Sequence, residues 1–409
     1  MRKLSLFATA SMMALLVATG AQASQTDPVR NISSYALDKD AAGYVPDYDA
    51  GPIIATYAKL VHANYKQALS DGKDLQAAVE AMLKDPTQDS MNAARNAWIN
   101  ARTSYLMTEA FRFYEGPIDF VNEKTGEEGP EGRLNAWPIN EGFIDYTKGN
   151  PKGGIINNPK IKITEKSIHE NDQVKDEADV TTGYHAIEFL LWGQDMNPTA
   201  PGNRPVSDYT PGKGNNDRRR LYLSTVTKMV TEDLDYLVKA WAPGNGDNYA
   251  AKFIAMGDKE ALGRILTSLA TLSEFELAAE RIATGLDSGD QEDEQSCFSD
   301  NTLNDIIFDE RGIRNVYFGS YPDVEGPGID SLVEKLAPGL NAKMIAALNK
   351  SEGAISNLNY PYDSILVSPE GSKARNEAEL VIQALQAQSD VVKEIGKLLG
   401  VKVVVPTGG

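Results

Sequence analysis

Two residues invite a chemical reading first. His185 and Glu188 lie three apart in "TTGYHAIEFLLWGQD", in an apolar segment of a chain with only three histidines. Side chains at i and i+3 of a helix share a face, with Cβ atoms about 5–6 Å apart, so both can reach one point. A neutral imidazole nitrogen and a carboxylate oxygen make half a site for zinc, iron or copper. The zinc-protease patterns need a second histidine, and the residue after Glu188 is Phe189. The carboxylate-bridged di-iron bundles use Glu-x-x-His twice; here the order is reversed and occurs once. With His62 and His169 the only others, further ligands must be carboxylates, tyrosines, amides or water. The competing reading is a hydrogen-bonded structural pair. His62, beside an apolar stripe, reads as packed or surface, and His169 as solvated.

Other segments carry weaker signals. Glu109 and Arg112 in "TEAFRFYEGPID" are spaced for an ion pair on one helix. "NAWPINEGFIDY" joins an aromatic-Pro turn to Glu141 and Asp145. The only cysteine, Cys297, cannot form an internal disulfide, and no Lys or His in "EDEQSCFSDNT" lowers its pKa, so it reads as structural. The acidic run Asp290 to Glu294 reads as a solvated loop. No serine nucleophile elbow, P-loop, dinucleotide fingerprint or haem-attachment motif occurs.

The elements that must position these residues are helices. Apolar residues recur at helical spacing at Ile54, Tyr57, Val61 and Ala68, and at Trp98, Ala101 and Tyr105 on through Arg112. They do so again at Leu223, Val226, Val230, Leu237 and Trp241, and at Leu262, Ile265, Leu269 and Leu272. The last stripe runs Ala378, Val381, Leu385, Val392, Ile395 and Leu399. Runs with a single apolar face belong to helix bundles, so the expected class is all-α. "VKVVVP" near the end is the best strand candidate. Between Tyr114 and Val180 the chain turns rich in Gly, Pro, Asn and charge, but Phe120, Trp137, Phe143 and Tyr146 favour an ordered excursion. A second irregular stretch, Trp192 to Arg220, suggests helical halves at 24–200 and 201–409, of similar length, as in a duplicated bundle.

Residues 1–23 read as a signal peptide: Arg2 and Lys3, an apolar run, then Ala21-Gln22-Ala23. That predicts a periplasmic or secreted protein. The apolar run is too short for a transmembrane anchor, and no later window reaches the length of one. Removing Arg2 and Lys3 lowers the basic count from 40 to 38 against 58 acidic residues, a formal charge of −20. Such a surface argues against nucleic acid and anionic membranes as partners.

Together these segments resemble the imelysin family and, within it, the iron-regulated protein A branch. The signature Gly-x-His-x-x-Glu is matched by Gly183, His185 and Glu188. "FRFYEGPID", "NAWPINEGFIDY", "GYHAIEFLLWGQD", "LGRILTSLATLSEFELAAERI", "SCFSDNT" and "NVYFGSY" follow in family order across most of the chain. The resemblance implies two related four-helix-bundle domains with the signature in the cleft between them. It also implies a periplasmic or outer-membrane-associated setting, and a link to iron supply. Family histidines in the thiol segment are replaced here by Gln295 and Leu303, which puts metal affinity and selectivity in question. The leading expectation is a metal site, iron or zinc, built by His185, Glu188 and Glu109 and linked to an iron-uptake system. Gly183, Arg112, Asp119, Cys297 and Asp300 are further cleft candidates. One alternative is a metallopeptidase with Glu188 or Glu109 as general base. Another is a cleft that takes an organic anion or peptide without metal.

Overall fold

The computed structural model describes residues 32–37, 45–244 and 246–406, so the expected signal peptide lies outside the described residues. Among those residues no helix is long and apolar enough to cross a membrane.

Four helices make a first group. α1 (Gly51–Lys84) packs along α2 (Gln88–Leu106) and α4 (Asn216–Trp241), and the short α3 (Gly183–Trp192) lies against α2 and α4. The stripes read from the sequence are the buried ones: Ile54, Tyr57, Val61, Trp98, Leu223 and Val230 all point into this core. α2 starts at a reciprocal cap, Thr87 accepting from the Ser90 N–H while Ser90 accepts from the Thr87 N–H. Its α-helical winding ends at Leu106, earlier than the stripe through Arg112 suggested. The Thr108 hydroxyl donates to the Tyr105 carbonyl at 2.6 Å and competes with the helical pattern. The chain tightens into a 3-10 turn, Met107–Phe111, and Arg112 follows in extended conformation.

The second group begins with α5 (Asp258–Thr271), which continues without a break as a π-helix over Leu272–Ala283. α6 (Thr302–Phe318), α7 (Ile329–Leu336), α8 (Pro338–Ser356) and α9 (Lys373–Leu399) complete it, with α9 packed on α8, α5 and the π segment. α6 joins the groups, because it packs on α2 and on the 3-10 turn as well as on α8. Gly312 makes that approach possible: a Cβ there would stand 2.5 Å from the Met107 carbonyl oxygen. α4, which follows residue 200, stacks along α1, and the helix Tyr249–Ala255 after it still packs on α1 and α4.

The excursion from Tyr114 to Val180 is ordered, as its aromatics suggested. It holds short helical turns and one antiparallel pair, β1 (Val121–Asn122) with β2 (Glu127–Glu128). The expected "VKVVVP" strand is not formed: Val401 makes a single bridge to Ala36, and the residues after it have no ladder partner.

Candidate functional site

α3 is buried on every side, all ten residues of it. A buried helix end must find partners for its free carbonyls, and side chains supply them. Arg95 donates to the Leu191 carbonyl at 2.9 and 3.0 Å, Tyr209 donates to that of Leu190, and the Arg204 N–H to that of Trp192. Near the other end, the Trp98 indole N–H donates to the Tyr184 carbonyl at 2.8 Å. Gly183 opens the helix at φ +82°, and a Cβ there would meet the Leu134 carbonyl oxygen at 2.6 Å. The glycine of the motif is therefore a backbone requirement that aims the two residues after it.

His185 and Glu188 do share a face, but they bond each other instead of converging on a third point. His185 Nδ1 lies 2.8 Å from Glu188 Oε2. Glu188 Oε1 accepts from the Ser299 N–H at 2.9 Å and from the Ser299 hydroxyl at 2.7 Å. His185 Nε2 is buried without a hydrogen-bond partner. The pair is 2% and 0% exposed, so the motif sits in a closed seam between α3 and the Glu294–Asn301 loop, not in an open cleft. Burial, with Arg102 and Arg281 nearby, holds His185 well below its usual value, so the imidazole is neutral. Burial pushes Glu188 up to about 8, against the Ser299 hydrogen bonds that favour the carboxylate.

The surroundings are an interleaved charge network. Arg102 pairs with Asp305 at 3.0 Å, and Arg281 with Glu109 at 2.6 Å, with Glu276 at 2.9 Å and with Asp309. Glu109 also takes Arg112, which reaches Glu131 at 3.1 Å. The expected Glu109–Arg112 pair is thus present, but a second guanidinium holds Glu109 as well. Burial alone would raise the Glu109 pKa; the two arginines win and bring it below the usual carboxylate range. Glu109 and Asp309 each keep one buried oxygen without a partner. Asp119 accepts from the Phe113 and Gly116 N–H groups, closing the turn after Arg112. Cys297 is buried and its thiol is pushed well up, first by burial and then by Glu188 and Glu292, so it stays protonated.

Among the described residues, Asp195, Asp300 and Asp363 are the group of three His, Cys, Asp or Glu whose ligand atoms all lie within 4.8 Å of one another. His185, Glu188 and Glu109 are not in it. Asp300 was a candidate from sequence; Asp195 and Asp363 were not. The solvated loop expected at Asp290 to Glu294 is half correct: Glu292 is exposed, but Glu294 turns inward and is 1% exposed. Arg281, Asp305 and Asp309 were also missed. The helices that carry them hold other charged residues as well, so the sequence pattern did not mark these three as buried.

The sequence model of the family described as Imelysin matches residues 61–392, most of the chain. The chain belongs to the imelysin family. It is 24% identical over 336 residues to "Iron-regulated protein A" of Synechococcus elongatus, covering 80% of this chain and 81% of that protein. Its fold resembles a crystal structure described as an iron-regulated protein A precursor from Parabacteroides distasonis, with a TM-score of 0.67 and 19% identity, over 87% of this chain and 97% of that one. An imelysin-like protein from Psychrobacter arcticum gives a TM-score of 0.62 at 13% identity, over 88% and 99% of the two chains. The mostly helical fold is therefore a family property, and it carries the Gly183, His185 and Glu188 motif into the seam.

Proposed function

We propose that this imelysin-family protein binds a metal ion at His185 and serves iron handling outside the cytoplasm. One observation carries the reading: a neutral, buried imidazole whose Nδ1 is held by a carboxylate while its Nε2 has no partner. A ligating histidine is commonly oriented in this way, its second nitrogen fixed by a carboxylate that also raises its basicity. Glu188 is then the group that sets the imidazole, and Ser299 sets Glu188. Glu109 and Asp309, each with one free oxygen beside Arg281, are the neighbouring carboxylates. Iron is favoured over zinc by the names of two of the relatives, which are called iron-regulated protein A. The leader expected at residues 1–23 supports a periplasmic setting.

The peptidase alternative has less support. A polypeptide has no path to side chains 2% and 0% exposed, and the arginines that hold Glu109 keep it from serving as a base. Calorimetric titration of metal-stripped protein with Fe(II), under anaerobic conditions, and with Zn(II) tests the reading. Micromolar or tighter binding of one equivalent is expected, weakened at least tenfold in His185→Ala. No binding by folded wild-type protein would overturn it. Cleavage of an unfolded protein substrate by the metal-loaded protein, lost in His185→Ala, would install the peptidase instead.

A further inference from the structure

A second cluster stands apart from His185. Asp195 lies three residues beyond α3, Asp300 just ahead of α6, and Asp363 in the short helix Tyr362–Leu366. Their carboxylate oxygens all lie within 4.8 Å of one another. None of the three makes an ion pair with a described Lys, Arg or His. The Asn197 N–H donates to Asp195 at 2.8 Å; the Gln291 amide donates to Asp195 and, at 3.1 Å, to Asp363. One oxygen of Asp300 and one of Asp363 are buried without a donor. Beside Asp363 and Asp300 stands Glu294, 1% exposed, its two carboxylate oxygens buried and facing the Asp363 carboxyl and the Thr302 hydroxyl. Asp363 is itself only 2% exposed.

Carboxylates withdrawn from water without donors are too costly to leave so; they hold protons or a cation. The spacing suits a cation. Oxygens around an ion at 2.3–2.6 Å can stand up to roughly 5 Å apart, on opposite sides of it. A set made only of oxygens, with no imidazole or thiolate, selects hard ions over zinc or copper. Gln291 fits the same picture. Its amide bridges Asp195 and Asp363, and turned over it presents another neutral oxygen to the same place. We infer that Asp195, Asp300, Asp363 and Glu294 form a binding site for a hard, oxygen-preferring divalent cation, separate from the His185 site. The three aspartates come from distant segments, one leaving the first helix group and two from the second. A bound ion would clamp that seam. It would also fix the turn in which Ser299, next to Asp300, holds Glu188.

The test is calorimetric titration of the EDTA-treated full chain with CaCl2, repeated with MnCl2 and MgCl2. Wild type and His185→Ala are expected to bind one equivalent of Ca2+ alike, and Asp300→Asn and Asp363→Asn to bind at least tenfold more weakly. Thermal melting guards against misfolded variants. In EDTA both Asn variants should melt at or above wild type, because each removes one of several crowded like charges. Ca2+ should raise the wild-type Tm and leave theirs unmoved. Failure of folded wild type to bind any of the three ions overturns the inference. So does Ca2+ binding that survives in both Asn variants, or that disappears only in His185→Ala. The last variant separates this site from the one proposed for iron, since either can fail while the other stands.

Discussion

The Glu294–Asn301 loop borders two buried clusters of charge that are built on opposite principles. On one side, Arg102, Arg112 and Arg281 interleave with Asp305, Glu109, Asp309 and Glu131, so each guanidinium has a carboxylate and each carboxylate a guanidinium. On the other, Asp195, Asp300, Asp363 and Glu294 gather with one amide and no cation of the protein's own. In the first cluster every charge has an opposite charge beside it as folded. It can seal the seam and hold His185 neutral whether or not a ligand arrives. The second is complete only when something from solution joins it. The contrast distinguishes a buried network that serves architecture from one whose stability is conditional.

Breaking the compensated cluster should cost most. Arg281→Met leaves Glu109, Glu276 and Asp309 with one guanidinium fewer among them, in an interior where all but Glu276 are fully buried. Removing one partner of a buried ion pair destabilises by about 3–5 kcal/mol, because the remaining charge cannot be resolvated. Urea unfolding should register a loss of that size. A loss below about 1 kcal/mol would mean that water reaches the seam and that the arginine is dispensable. Gly183→Ala should come next. It places a Cβ against the Leu134 carbonyl oxygen and puts a non-glycine residue at φ +82°. The strained backbone alone costs about 1–3 kcal/mol. The same denaturation experiment reads it, and metal binding at His185 should fall too, since the residue aims the helix start.

These two positions also show what the sequence discloses and what it hides. The buried stripes on α1, α2, α4, α5 and α9 were legible because helical periodicity is a local property, repeated over many residues. His185 and Glu188 were legible by spacing, but spacing cannot say whether two side chains converge on an ion or on each other. The answer depends on Ser299, more than a hundred residues away in sequence, which occupies the other carboxylate oxygen. Asp195 and Asp363 were illegible for the same reason. Each is a lone acid in an ordinary polar segment, and only the tertiary fold brings them beside Asp300. Family segments pointed to Asp300 and Cys297; they gave no hint that Glu294 turns inward while Glu292 stays out.

Titration sharpens the comparison, because Asp300 and Glu109, one from each cluster, should respond to pH with opposite signs. Burial pushes Asp300 up to about 7, with Asp363 and Asp195 adding to it. A group whose folded pKa is raised binds its proton more tightly when folded. Its contribution is full below the unfolded value of about 4 and is lost as pH rises towards 7. Glu109, lowered by Arg112 and Arg281, behaves in reverse: its contribution is present above about 4 and is lost only as pH falls below that. In EDTA the Tm should therefore decline from about pH 5 to pH 8, through Asp300 in the acid cluster and through Glu131, which burial also pushes up to about 7. Asp300→Asn should flatten the decline, and Ca2+ should offset it in wild type. A Tm in EDTA that rises steadily to pH 8 would show that the acids are hydrated well enough to ionise freely.

The smallest effect on stability should come with a large one on binding, at Glu188→Gln. The amide keeps the shape of the side chain, and its oxygen still accepts from the Ser299 N–H and hydroxyl, so both hydrogen bonds that pin the loop survive. Toward His185 the amide presents an N–H, which obliges Nδ1 to accept and locks the imidazole proton on Nε2. The lone pair that would hold a metal is then gone. A glutamic acid at that place can shed its proton when a cation arrives; an amide cannot. Stability should change by less than about 1 kcal/mol, since one satisfied pair replaces another. Metal affinity should fall by about 10–100-fold, the usual consequence of losing the carboxylate behind a histidine ligand. Ca2+ binding at the acid cluster should stay as it was, because Ser299 and the loop beside Asp300 keep their anchor. Equal losses for both ions would mean that Glu188 acts by holding the loop, and that the two clusters are one site in function.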